Sequence, residues 1–306
     1  MVVEENQFRR ALVQAYAEED IAPRLNSYLK EAWMRFSRNK PAFWGLVLLC
    51  ILITMAIIGP WLSPYPYYET HLSLNNQPPS LKFWFGTDDL GRDLFVRTWY
   101  GARISLCVGF VAAFIDLVIG VLWGGTAALA GGKIDNLMMR TADILYAIPY
   151  LLVVILLIVV IGSGLLPIII ALTIIGWINM ARIVRGQLLQ IKELDYVQAS
   201  RAFGASNWWI LRRHMIPNAI GSILITMTLT IPTAIFTEAF LSFLGLGIQA
   251  PVASWGTMAS EGLPAMSYYP WRLFFPAFFI SITLLAFNMV GDGLSDAFDP
   301  KRRARG

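Results

Sequence analysis

Residues 195–218 read DYVQASRAFGASNWWILRRHMIPN, a polar and basic island between two long apolar runs, and this stretch decides the fold. Asp195 offers a carboxylate to the free amides at the start of a helix, and Gln198 three residues on can close a capping box. Gly204 stands where a left-handed turn would end that helix after Phe203. Ser206 can cap a second helix running towards Arg213, and Pro217 opens the next apolar segment. The spacing predicts two short helices at an angle, a knob between membrane-length segments.

Composition gives the knob its setting. Of 306 residues 57% are hydrophobic and 14% charged, far from the balance of a water-soluble domain. The chain reads as an all-α integral membrane protein. Its net charge of +4 does not point to nucleic acid, because the basic residues sit at segment ends rather than in one patch. Cys50 and Cys107 lie within apolar runs and suggest neither a disulfide framework nor a metal site. The first forty residues are polar and charged, unlike a cleavable signal, so the first span directs insertion.

Six runs are long enough to cross a hydrocarbon core of roughly 30 Å: about 42–62, 104–130, 140–161, 165–185, 217–243 and 272–292. Gly162-Ser163-Gly164 makes a hairpin between the third and fourth. With both termini in the cytosol, all but Lys82, Arg92, Arg97, Arg103 and Arg272 of the 24 Lys and Arg residues fall inside, which sets the orientation and places the knob in the cytosol. Ahead of the first span, Leu29, Trp33 and Phe36 share a helical face, as in a cytosolic helix lying at the membrane surface.

Between spans one and two, a Pro- and Tyr-rich outside segment (64–79) leads into FGTDDLGRD (85–93). Asp88, Asp89, Arg92 and Asp93 could form an ion-pair and capping cluster fixing an outer mouth; as exposed pairs they would instead be worth under about 1 kcal/mol each. Gly120 to Thr126 has the glycines of a phosphate-binding loop but no Lys, and at four-residue spacing Gly120 and Gly124 let another helix approach closely. Three acids interrupt the spans and should face the bundle interior, a partner or an interface. Asp143 lies one turn from Arg140 and is expected to pair with it. Asp116 falls mid-span, as a pathway-lining residue would. Glu238 follows a stripe of Ser222, Thr226, Thr230, Thr233 and Thr237 on one helical face. That stripe is either a wall for a hydrated solute or a set of hydroxyls bonded back to their own helix.

The island also resembles the coupling-loop signature of the membrane subunits of binding-protein-dependent ABC importers: Glu-Ala-Ala, three residues, Gly, then an apolar residue and Pro. Gln198, Ala199 and Ser200 stand at the triplet, Gly204 at the glycine, and Ile216 and Pro217 at the end. Gln198 replaces the usual Glu, removing a negative charge that would pair with an Arg on the ATPase, and His214 stands where Ile is common. Residues 85–106, 238–247, 254–258 and 288–300 resemble the C-type permease subunits of oligopeptide and dipeptide importers. The likeness extends over roughly residues 38–303.

The resemblance implies six transmembrane helices of the type I ABC importer permease fold, in a bacterial cytoplasmic (inner) membrane. It divides the chain into a cytosolic N-terminal region (1–40), a first transmembrane helix and external loop (41–103), a five-helix permease core with the cytosolic coupling loop 186–217 (104–293), and a cytosolic tail (294–306). It implies a homologous permease subunit, two ATP-binding subunits that hold ATP and Mg, an extracytoplasmic substrate-binding protein and the surrounding lipid, with no cofactor in this chain. Coupling residues would be Asp195, Tyr196, Gln198, Ala199, Ser200, Arg201, Gly204, Arg212 and Pro217. Oligopeptides are the first expected cargo, with dipeptides, nickel chelates, haem or glutathione carried by relatives. The chain has no Walker A sequence, so energy comes from elsewhere. A self-sufficient ion-coupled transporter would use Asp116, Asp143 or Glu238 as proton sites, but no inverted repeat supports it. A membrane hydrolase lacks a base, since His71 and His214 are the only histidines.

Overall fold

A computed structural model describes residues 25–298, with side chains from residue 30 onward. The basic residues before Leu25, and Lys301, Arg302, Arg303 and Arg305, lie outside the described residues. Helix α1 (Leu25–Arg38) turns at Asn39 into α2 (Lys40–Ile58), which a 3-10 turn (Gly59–Trp61) extends. Asn39 caps α2 by accepting from the Ala42 amide, and its Nδ2 donates to Asp296 at 3.2 Å, tying the first span to the last. Trp33 stacks on Phe36 at 5.7 Å; Phe36 is buried and Trp33 exposed.

The remaining elements are α3 (Leu94–Ala130), α4 (Gly132–Tyr146), α5 (Tyr150–Ile161), α6 (Leu165–Lys192), α7 (Asp195–Ala202), α8 (Asn207–Ile210), a π-turn (Leu211–Met215), α9 (Ile216–Phe243), α10 (Trp255–Gly262) and α11 (Trp271–Phe298). Among the described residues, five continuous helical segments are long and apolar enough to cross a membrane: Lys40–Trp61, Leu94–Ala130, Leu165–Lys192, Asn207–Phe243 and Trp271–Phe298.

The expected third span, 140–161, is not one continuous helix, and it makes a sixth span when its two helices are taken together. These are α4 and α5, meeting at 75°. Pro149 has no amide to donate and disfavours helical backbone at Ile148, so the helix breaks there. At about 1.5 Å per residue, the 12 residues of α5 reach less than the hydrocarbon thickness. The second span begins ten residues earlier than expected, because Asp93 caps α3 by accepting from the Phe95 amide at 2.9 Å. The Gly162–Gly164 hairpin holds, with both glycines at positive φ.

Small residues set the helix spacing. A Cβ on Gly120 would lie 2.6 Å from that of Met180, and one on Gly124 would press on the Ala181 carbonyl, so α3 and α6 pack backbone to backbone as the four-residue glycine spacing predicts. Gly45 of α2 plays the same part against Met289 of α11, where the distance would be 2.9 Å.

Candidate functional site

Three places collect the chemistry. At one end, α6 passes through Lys192 into α7, and the chain returns through α8 and the π-turn into α9. Gly204 has φ +84°, and its amide and that of Ala205 donate to Arg201 and Ser200 carbonyls, which closes α7 as a left-handed glycine stop. Ser206 caps α8 by accepting from the Trp209 amide. Both follow the sequence reading.

The capping box does not form. The cap position falls on Leu194, Asp195 is the first helical residue, and Gln198 instead donates from Nε2 to the Lys192 carbonyl at 2.9 Å. The second helix is not separate either. It runs into α9 through the π-turn, where the Ile216 amide reaches the Leu211 carbonyl five residues back. Pro217 has no amide, and the widened turn just before it absorbs that loss.

The foot is two-sided. Val197 and Ile210 are fully buried and join Ala128 of α3, Leu188 of α6 and Ala219 of α9 in one cluster. Burial of each contributes about 1.5–3 kcal/mol, so the foot moves with the spans beneath it. Its outer side exposes Tyr196, Phe203, Trp208 and Trp209 with Asp195, Arg201 and Arg212. His214 is half-buried between the rings of Tyr196 (5.6 Å) and Trp209 (5.0 Å), with Ser200 Oγ 3.3 Å from Nε2. Burial pushes the Tyr196 hydroxyl above its ordinary range. Around the foot, Lys192 Nζ donates to the Ala128 carbonyl at the end of α3, and Arg185 grips Asp135 with two bonds of 2.5 and 2.6 Å. No local pattern signals the Asp135 pair, which joins residues fifty positions apart.

At the other end, Asp88, Arg92 and Asp93 of the acidic and basic cluster are buried while Asp89 is exposed, and the cluster is not local. Asp88 accepts from Arg92 Nε at 2.6 Å and lies 3.5 Å from Arg97 Nε. Glu261 of α10 takes Arg97 at 2.8 Å and Arg92 at 3.3 Å. Asp89 pairs with Arg272 at 3.1 Å, and Arg272 also donates to Asn76. Asp93 enters no ion pair; it caps α3 and accepts from Ser63 Oγ at 2.8 Å. Burial pushes its carboxyl above the usual range, against the pull of those hydrogen bonds. Arg97, Glu261 and Arg272 escape a sequence reading because their partners are remote in the chain. In the same region Trp255 is fully buried and donates from its indole to the Thr98 carbonyl at 2.9 Å.

Between the ends lies a cleft of about 590 Å³ among α3, the α4–α5 break, α6 and α9. Asp116 lines it, as do Thr226, Thr230, Thr233 and Thr237. Each of these threonines donates its hydroxyl to a carbonyl one turn back, at 2.8–3.0 Å. These four threonines thus line the cleft and bond back to their own helix at once. Tyr146 and Tyr150, on either side of the α4–α5 break, also line it.

Glu238 faces the bundle interior, one of the settings expected of it, whereas Asp143 takes another partner than expected. Glu238 is fully buried away from the cleft, accepting from Ser105 Oγ at 2.9 Å and Ser242 Oγ at 2.8 Å, which pins α9 to α3. Asp143 pairs with Arg182 of α6 at 2.8 Å rather than with Arg140, because Arg182 also lies over the Tyr146 ring.

The family model "binding-protein-dependent transport system inner membrane component" matches residues 116–304, and that of the N-terminal TM domain of oligopeptide transport permease C matches residues 27–79. The chain is 59% identical over 301 residues to the oligopeptide transport system permease protein OppC of Bacillus subtilis (strain 168), covering 98% of this chain and 99% of that one. It is 60% identical over 278 residues to the dipeptide transport system permease protein DppC of the same organism, covering 90% and 87%. Among solved structures, the inward facing MetNI methionine ABC transporter has the same fold: TM-score 0.55, 22% identity, 65% of this chain and 94% of that one.

Proposed function

The chain belongs to the binding-protein-dependent transport system inner membrane components, and from that premise we propose that it is one permease subunit of an ATP-driven peptide importer in a bacterial cytoplasmic membrane. The observation that carries this reading is the near-full-length identity to oligopeptide and dipeptide permeases. Oligopeptides are the first cargo and dipeptides the second.

In this reading both termini and the foot lie in the cytosol, and a paired permease completes the pathway. Two ATP-binding subunits, holding ATP and Mg, dock on the exposed side of α7 and α8, and an extracytoplasmic binding protein delivers cargo at the Asp88–Arg97–Glu261 end. The N-terminal region, first span with its external loop, five-helix core and C-terminal tail keep the divisions drawn from the sequence. Tyr196, Arg201 and Arg212 face the ATPase, and neutral Gln198 leaves that contact without the usual acid. Gly204 and Pro217 shape the foot, while Val197 and Ile210 carry its displacement into α3, α6 and α9. ATP binding need only favour one of two packings of the bundle by a few kcal/mol.

The test is uptake of a labelled pentapeptide into vesicles carrying the assembled transporter and its binding protein. ATP-dependent accumulation is expected. Accumulation by this chain alone under a pH gradient, without ATP, would overturn the reading in favour of an ion-coupled carrier.

A further inference from the structure

The polar side chains lining the cleft between α3, α6 and α9 are one carboxylate, four threonine hydroxyls, the hydroxyls of Tyr146 and Tyr150 and the amide of Asn179. Asp116 is 97% buried, and its Oδ1 has no hydrogen-bond partner although the residue lines the cleft. The four threonine hydroxyls have each given their proton to a backbone carbonyl, so what they keep for a guest is oxygen lone pairs. Tyr150 adds a buried hydroxyl that also lacks a partner. Among the described residues lining the cleft there is no Lys, Arg or His.

An unpaired carboxylate in an apolar setting is costly unless a cation meets it. No side chain in the cleft does so, and Arg182, the nearby cation over Tyr146, is already paired to Asp143. A carboxylate guest would be repelled by Asp116, with only Asn179 and the two tyrosine hydroxyls able to donate to it. A primary ammonium, with three donors and one positive charge, matches the wall.

We propose that this cleft is a subsite for the amino-terminal ammonium of the cargo, with Asp116 as its counter-charge and the Thr226–Thr237 stripe and Tyr150 as its hydrogen-bonding wall. The inference rests on the peptide-importer reading and adds to it a chemical preference held within this subunit. A free amino terminus is selected, and a blocked one is not.

The assembled transporter in lipid nanodiscs is exposed to a pentapeptide carrying a benzophenone side chain, with either a free or an acetylated amino terminus, and the photolabelled residues are mapped. The free peptide should label cleft residues about tenfold more than its acetylated twin, the factor that one hydrogen bond to a charged group commands. Asp116→Asn should abolish that preference, and Tyr150→Phe should reduce it while leaving the chain as well folded. Equal labelling by the two peptides, a preference unchanged in Asp116→Asn, or no labelling of the cleft overturns the proposal. ATP-driven uptake of the free peptide is measured on the same preparation. Normal uptake with amine-independent labelling removes the subsite and leaves the importer; amine-dependent labelling without ATP-driven uptake does the reverse.

Discussion

The Asp116 carboxylate occupies the space that a side chain at Gly176 would need. A Cβ on Gly176 would lie 2.9 Å from Asp116 Oδ1 and closer still to Oδ2. The acid on α3 thus depends on a glycine on α6, sixty residues along the chain, to keep its place at the cleft wall.

Gly176→Ala should therefore move Asp116 or part the two helices, at the cost of about 1–3 kcal/mol that overpacking brings. The expected outcome is a lower melting temperature in detergent together with reduced peptide uptake. A variant that melts and transports like the parent would show that Asp116 does not need its present position.

Gly204 tests the foot. Its φ is +84° and a Cβ there would meet nothing within 4 Å, so substitution acts through backbone conformation alone. Gly204→Ala should cost about 1–2 kcal/mol, and Gly204→Val more, since a β-branched side chain is least tolerant of that region. Membrane insertion should be retained and ATP-driven uptake lost in the Val variant, while Gly204→Asn, better tolerated there, retains part of it. Undiminished uptake in the Val variant would remove the glycine from the coupling path.

Local rules located this foot well. A glycine stop, a serine cap and a proline depend on neighbours a few residues away, and they stand where the spacing placed them. The Asp195–Gln198 capping box failed because Leu194 takes the cap position and Gln198 finds a carbonyl behind it. The break before Pro149 was missed because hydropathy sees only a continuous apolar run. The ion network of Arg97, Glu261 and Arg272 and the Asp116–Gly176 fit were illegible for another reason: each joins residues from elements far apart in sequence, where no periodicity reports.

Glu238 is a structural pin, and its variants should fail in assembly rather than in cargo selection. Glu238→Ala leaves the Ser105 and Ser242 hydroxyls buried without their acceptor, at about 1–3 kcal/mol each. Glu238→Gln keeps one acceptor oxygen and should be milder. The yield of folded protein after detergent extraction orders them; equal yields with altered peptide preference would return Glu238 to the pathway.

The outer cluster makes an asymmetric prediction. Arg97 is buried and faces both Asp88 and Glu261, so Arg97→Met should destabilise by about 3–5 kcal/mol, as breaking a buried pair does. Glu261 is 37% exposed at its side chain, and water can replace part of its role, so Glu261→Gln should lower the melting temperature less. The opposite order would mean that Glu261, through Arg92, holds the cluster more than Arg97 does.

Coupling to a cytosolic ATPase depends on which side of the membrane the α7–α8 foot faces. The direct measurement is labelling of Arg201→Cys, in a background with Cys50 and Cys107 replaced by Ser, using an impermeant maleimide on intact cells and again on inverted vesicles. Labelling is expected in the vesicles and none in the cells. Labelling from the outside of intact cells would place the foot away from any cytosolic ATPase and contradict coupling through it.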